Sequence, residues 1–335
     1  MPAAILTQSA PAHPARIRET PFTGPIAWTR DTLAPEDGAL RLGPDCRAEL
    51  DAALAAIRAN PLPVLMIEPA AFELPACRKL MLQAKAMLES GVGFALIDGL
   101  PLDACTPDEA KALYWVLMQL LARPVAQSWD GKMIYDVRDL GRPPGNGVRP
   151  DITNAEQSFH TDNSYNLCPP DYVALLCLHP AMEGGISHIV SFHTAHNEML
   201  ARHPALLARL YAPFLFDRQR EHAPGDAMVL RHPLFEYDGE RLTGRLSRFQ
   251  VRNGHALAEV PLDVEGETAL EALDGIMKAP RINREFYFER GQIQILDNRR
   301  LGHRRTGFRD FPEPERKRHL VRLWLRDGGR RFYNG

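Results

Sequence analysis

The chain has 335 residues, 45% of them hydrophobic and 24% charged, and its 40 Lys and Arg nearly balance 42 Asp and Glu for a net charge of −2. That balance excludes a global electrostatic footprint for nucleic acid or an acidic membrane surface, and the apolar content excludes a wholly disordered chain. What is left is a soluble enzyme or binding protein, with length alone suggesting about two domains.

The first twenty residues, MPAAILTQSAPAHPARIRET, lack the cationic start and long apolar run of a secretory signal and read as a frayed Pro/Ala-rich tail. Helical periodicity follows. Leu50, Leu54 and Ile57 form one stripe; Cys77, Leu80, Met81, Ala84 and Leu88 form a second that runs out at Gly91. Gly93 to Ile97 reads as a buried strand. Thr106-Pro107-Asp108-Glu109 is a capping box opening a third helix with an apolar face of Leu113, Val116, Leu117 and Leu120. A helical layer over about 44–122 is therefore expected.

From about Arg123 the pattern turns to short β-rich runs: Tyr172 to Leu178, Arg284 to Leu296 and His319 to Arg326. Helical stretches at Asn197 to Tyr211 and Glu265 to Met277 interrupt them, within an insertion of about 192–280. Asp139 to Asp151 has no periodicity and reads as a long loop of the kind that serves as a lid. The whole is α+β, a helical layer on an antiparallel sandwich or barrel. No apolar run can span a bilayer, since the best, Tyr114 to Ala122, contains Gln119. Cys46, Cys77, Cys105, Cys168 and Cys177 are odd in number and form no C-x-x-C pair, so they read as reduced thiols of a cytoplasmic protein.

Walker A, dinucleotide and G-x-S-x-G signatures are missing, which leaves histidine and carboxylate chemistry. His160-Thr161-Asp162 is a metal chelate if extended, because residues i and i+2 of a strand share a face. Random placement of these residue types gives about 1.5 such H-x-[D/E] pairs, and two occur. The second, His196-Asn197-Glu198, lies in a helical pattern where i and i+2 diverge, and is expected to face solvent. Gln292 to Asp297 alternates and delivers His303 near a strand end as a third ligand. Arg318 and Arg322 lie on one face of a strand, ~13 Å apart; each is either a solvated charge or the lining of a polar cavity. His188 and His193 read as ordinary core or surface histidines, and Trp129 and Tyr135 as core.

H-T-D, then Gly184-Gly185-Ile186-Ser187, then D-N-R-R-x-x-H-x-R-T at Asp297 to Thr306, then R-x-x-x-R at Arg318 to Arg322, taken in this order, resemble the taurine dioxygenase-like Fe(II)/2-oxoglutarate oxygenases of the clavaminate synthase-like superfamily. The correspondence runs from roughly Gly93 to Phe332. It implies a double-stranded β-helix (jelly-roll) barrel forming one domain over 21–335, elaborated by the helical layer and the insertion. It further implies that His160, Asp162 and His303 form the Fe(II) facial triad, leaving three cis positions for co-substrate and O2. Ser187, where the family has Thr, and Arg318 are implied to hold the distal carboxylate of 2-oxoglutarate. Arg322 and, more loosely, Gln127 match substrate-side positions.

The expected activity is oxidation, foremost hydroxylation, of a small carboxylate-bearing molecule such as an amino acid, with release of succinate and CO2. Halogenating relatives lack a carboxylate where Asp162 stands. The partner is a small molecule, with neither nucleic acid nor membrane, and relatives associate into homo-oligomers through their helices. Pocket residues are expected from the 139–151 loop and from Phe214 to Arg252. The cationic cluster from Arg299 to Arg322 accounts for a carboxylate-binding pocket in a chain of balanced charge. A metallohydrolase on the same three ligands and a binding member without catalysis are the alternatives.

Overall fold

The computed structural model describes residues 5–6, 16–143, 148 and 150–334. Helices α1 (Pro44–Ala59), α2 (Pro75–Glu89) and α3 (Pro107–Leu121) form the expected layer. The buried residues of α2 are the five of the expected stripe, Cys77, Leu80, Met81, Ala84 and Leu88. The capping box at α3 is made in both directions: Thr106 N donates to Glu109 Oε2 at 2.8 Å and Glu109 N donates to Thr106 Oγ1 at 3.3 Å. Its apolar face is wider than one stripe, with Tyr114, Trp115 and Met118 also fully buried. The helix lies between its neighbours and the sheet, so it is covered on nearly every side.

Eleven strands build the barrel: β1 (Ala39–Arg41), β2 (Phe94–Asp98), β3 (Arg123–Val125), β4 (Tyr135–Val137), β5 (Gln157–His160), β6 (Tyr172–His179), β7 (Ser187–Ser191), β8 (Asn283–Phe286), β9 (Ile293–Asp297), β10 (Leu301–Arg305) and β11 (His319–Arg326). The large sheet runs β1-β2-β9-β6-β11-β3, with β4 also on β11; the small sheet runs β8-β7-β10-β5. Only the β1–β2 pair is parallel among these. The expected run from Arg284 to Leu296 is two strands in different sheets, turning at Gly291. That residue has φ +86°, and a Cβ there would stand 2.6 Å from the Leu100 carbonyl oxygen.

Strand alternation divides the large sheet. Ile293, Ile295, Ala174, Leu176, Val321 and Leu323 pack with the helices in one core. The residues between them face the small sheet, where Leu296 and Phe94 meet Ile189, Phe286 and Leu301. The result is a double-stranded β-helix with its interior between the sheets and its helices outside.

In the 192–280 region, α4 (Phe192–Arg202), α5 (Pro204–Leu210), α6 (Arg248–Leu257) and α7 (Val264–Lys278) enclose strands Phe214–Asp217 and Val229–His232. The single helix expected from Asn197 begins instead at Phe192 and is cut before Pro204, which has no N–H to continue it. Helix α6 was not anticipated. It packs against Phe214–Asp217 through Gly254, where an added Cβ would lie 2.4 Å from Leu215 O and 2.7 Å from Asp217 N. Backbone cannot yield as a side-chain tip can, so Gly254→Ala is expected to cost about 1–3 kcal/mol in denaturant unfolding. An unchanged unfolding midpoint would show that this contact relaxes freely.

Of the N-terminal stretch, residues 1–4 and 7–15 lie outside the described residues, Ile5–Leu6 pair in parallel with Val229–Leu230, and Arg18 Nη1 donates to Tyr237 OH at 2.9 Å. Of the expected lid loop, residues 144–147 and 149 lie outside the described residues. Among the described residues no helix is long and apolar enough to cross a membrane.

Candidate active site

His160 ends β5 and stands directly opposite His303 on β10. Two residues on, Asp162 is fixed through its backbone. Asn298, just past β9, accepts from Asp162 N at 2.8 Å and donates to Asp162 O at 3.0 Å and Pro170 O at 3.1 Å. The insertion holds the residue between the ligands: Thr161 N donates to Leu246 O at 2.8 Å, and Leu246 N donates to Thr161 Oγ1 at 3.0 Å. Ser164 Oγ donates to Gln250 Oε1 at 2.6 Å, and the buried Arg245 reaches the carbonyls of Ser164 and Asn166.

The three side chains converge. Asp162 Oδ1 is 3.4 Å from His160 Nε2 and 3.5 Å from His303 Nε2, and one ligand atom from each residue lies within 4.8 Å of the others. Asp162 Oδ2 is turned away and held by Trp324 Nε1 at 2.6 Å and Arg322 Nη1 at 3.2 Å. Burial pushes the Asp162 carboxyl upward, but Arg322, His160 and His303 outweigh it and hold it well below the usual carboxylate range. Burial, then neighbouring His160, lowers His303, so its imidazole stays neutral. His160 Nδ1 lies 2.9 Å from Ser158 O, a contact that suits a proton on Nδ1, and its Nε2 lies 2.9 Å from Gln157 Nε2, a contact that suits a lone pair there. Two imidazoles and one carboxylate oxygen are the donor set of an Fe(II) facial triad, so the residues fit that metal.

The triad opens into a cavity with Val173, Leu175, Phe288 and Leu320 as apolar wall and Ser187 and Arg318 as polar groups. Arg318 is 4% exposed, and its Nη1 meets no protein partner among the described residues. Burial, then nearby Arg305, pushes its guanidinium down to about 9, still cationic at neutral pH. A buried cation with an unmade donor is a site for an anion. The Gly184-Gly185 pair makes room for it. Both have positive φ; a Cβ on Gly185 would press Arg318 Nε at 3.2 Å, and one on Gly184 would strike Gly307 O at 2.3 Å. Ser187 Oγ donates to Gln294 Oε1 at 3.1 Å.

Arg322 is more heavily engaged. Its Nε donates to Gln127 Oε1 at 2.8 Å, Nη2 to Asp151 Oδ2 at 3.1 Å, and Nη1 contacts Asp162. Gln127 is fully buried, spends its amide hydrogens on the carbonyls of Met133 and Arg322, both at 2.8 Å, and does not line the cavity. It reaches the site only through Arg322.

Other placements differ from expectation. No residue of 192–280 lines this cavity; within Phe214 to Arg252, Arg245, Leu246 and Gln250 instead brace the H-x-D turn. His196 is buried, not solvent-facing, bonded to Tyr211 OH at 2.8 Å and edge-on to Phe22. Trp129 is 47% exposed, outside the core. Tyr135 is half-buried with its ring beneath Arg322 at 5.2 Å. His188 and His193, by contrast, are core histidines as expected, buried away from the triad, the first 3.1 Å from Asn283 Oδ1, the second packed on Phe22. Asn298 and Trp324 are functional positions that the sequence pattern does not single out; the Asp-Asn following an alternating strand is the available signal for the first.

A profile of the taurine catabolism dioxygenase TauD, TfdA family matches residues 60–324. The FR-33289 synthase of Streptomyces rubellomurinus is 31% identical over 326 residues, covering 94% of each chain. A taurine hydroxylase-like protein of Stachybotrys chartarum is 24% identical over 310 residues, covering 89% of this chain and 78% of its own. Among solved structures, asparagine oxygenase with Fe(II), 2S,3S-3-hydroxyasparagine and succinate aligns with a TM-score of 0.67 at 18% identity, over 87% of this chain and 94% of that one. The non-heme iron oxygenase OrfP with Fe and alpha-ketoglutaric acid aligns with a TM-score of 0.60 at 17% identity, with the same coverages. These two structures share the fold of this chain.

Proposed function

The chain belongs to the taurine catabolism dioxygenase TauD, TfdA family, and from that membership we propose an Fe(II)- and 2-oxoglutarate-dependent dioxygenase that hydroxylates a small carboxylate-bearing molecule such as an amino acid. The balance is one substrate C–H, one 2-oxoglutarate and one O2 giving the alcohol, succinate and CO2. The observation that carries this reading is Arg318: a buried cation whose Nη1 meets no partner among the described residues, in the same cavity as the cluster of His160, Asp162 and His303. A zinc hydrolase on the same triad gives Arg318 and Ser187 nothing to do. Solved relatives crystallised with a hydroxylated asparagine and a hydroxylated arginine support the substrate class.

His160, Asp162 and His303 would hold the iron, which when bound supplies the redox chemistry joining decarboxylation of 2-oxoglutarate to oxidation of a C–H bond. Arg318 and Ser187 take the distal carboxylate of 2-oxoglutarate. Val173, Leu175 and Leu320 keep water from the reacting centre. We assign the substrate's carboxylate to Arg322, whose plane Gln127 fixes. One barrel domain with its helical layer and insertion carries the whole site, and five unpaired cysteines support a reducing, cytoplasmic setting.

Anoxic addition of iron and 2-oxoglutarate is expected to produce a weak visible charge-transfer band. Amino acids and small carboxylates are then screened for O2-dependent stimulation of succinate release. Folded, iron-loaded protein that gives no band, or turnover that persists without O2, would replace this reading with the hydrolase.

A further inference from the structure

We infer that Gln294 is a positioning residue for the co-substrate: its side-chain amide sets the direction of the Ser187 hydroxyl and thereby how tightly a dicarboxylate is held beside Arg318. The inference rests on the assignment of Ser187 and Arg318 to 2-oxoglutarate.

Gln294 sits on β9 in register with Leu175 of β6, which pairs in turn with Arg322 of β11. Residues directly opposite each other on neighbouring strands share a face, so Gln294, Leu175 and Arg322 form one row on the interior face of the large sheet. Ser187 belongs to the small sheet. The bond between Ser187 and Gln294 therefore crosses the barrel, joining residues 107 apart in sequence. Gln294 is a polar side chain only 1% exposed, among apolar neighbours, and its Nε2 meets no partner among the described residues. A buried amide with both donors unmade calls for a reason.

Hydrogen counting supplies one. A serine hydroxyl has a single proton. With that proton given to Gln294 Oε1, Ser187 offers only lone pairs to an incoming carboxylate, and acceptor faces acceptor. Turning the amide end for end lets Nε2 donate to Ser187 Oγ across the same gap. The hydroxyl proton is then free for the carboxylate that Arg318 Nη1 also binds. One hydrogen bond becomes two in series, each polarising the next. The turn leaves Oε1 without a donor, and a buried carbonyl oxygen is left under-satisfied more often than a buried N–H. The amide is thus a two-position element whose second position is favoured by an anion in the cavity.

The variants separate this role from plain packing. In Gln294→Glu an ionised carboxylate can only accept, so it keeps the Ser187 proton away from the cavity; 2-oxoglutarate affinity is expected to fall at least about 10-fold. Gln294→Leu has similar bulk and no acceptor, so the hydroxyl is released but loses the amide's donated bond, and affinity is expected to fall only about 3-fold. Binding is read by calorimetry on anoxic, iron-loaded protein without turnover, with ligand-free unfolding temperatures as the check on folding. In a Ser187→Ala background most of the Glu effect should vanish. Equal losses for Glu and Leu, or a Glu effect undiminished by Ser187→Ala, would overturn the role of Gln294. Failure of the parent protein to bind 2-oxoglutarate, or its undiminished binding by Arg318→Leu, would overturn the underlying assignment as well.

Discussion

Replacing Asp162 by alanine is expected to abolish iron retention and O2-dependent succinate release together. Its Oδ1 is the only anionic donor of the triad, placed 3.4 and 3.5 Å from the two imidazoles, so no other group among the described ligands can take its place. The loss should exceed the ~10–100-fold in affinity that removal of an outer partner costs. Trp324→Phe supplies that comparison: it keeps the ligand and the ring stacked on Tyr333 but removes the N–H bonded to Oδ2 at 2.6 Å. Iron affinity is expected to fall by about 10–100-fold, with turnover regained at high iron. Asp162→Ala should still fold, because Arg322 keeps its bonds to Gln127 and Asp151. Chelator competition measures both affinities, and an alanine variant that holds iron as tightly as the parent would place the metal elsewhere.

Arg318→Leu is the second large effect, and it acts on a different ligand. Breaking a buried charge pair costs about 3–5 kcal/mol, so the Kd for 2-oxoglutarate should rise roughly 10²–10⁴-fold. Iron binding is expected to survive. The free protein should respond in the opposite sense, because the parent buries a guanidinium that burial has already pushed down to about 9. Its unfolding temperature is therefore expected to hold or rise in the variant, while the stabilising shift on adding 2-oxoglutarate disappears. Arg318→Lys should recover little, having lost the planar fork. A leucine variant that binds 2-oxoglutarate normally would remove Arg318 from the site.

Much of this was legible from residue order, and the reasons are local. The two H-x-[D/E] pairs were separable because one is extended and the other helical, and they stand at the end of β5 and in α4 as that argument requires. Alternation along β11 put Arg322 on the face opposite Val321 and Leu323, which is the cavity side. Helical spacing separates His196 from Glu198 but does not say which of them faces inward; α4 begins at Phe192, and its inward stripe of Phe192, Ala195 and Met199 carries His196 with it. Gln127 illustrates a different limit. Its proximity to Arg322 could be anticipated, but that both ends of its amide are consumed depends on the carbonyl of Met133 and on Arg322 itself. The role of the insertion is illegible for the same reason, since its grip on the H-x-D turn joins Leu246, Gln250 and Arg245 to partners 81 to 86 residues away, which no local pattern reveals.

That grip bears on when the site comes into being during synthesis. The H-x-D turn has no fixed shape of its own: it is held by Leu246, by Asn298, 136 residues away, and by Trp324, 162 residues away. Contacts this distant form late, after the intervening chain has been made and closed upon itself. A partly synthesised chain holds His160 and Asp162 but neither their opposing histidine nor the groups that aim them. The three side chains that would hold iron therefore come together only in a finished barrel, and a growing chain offers no complete set of ligands.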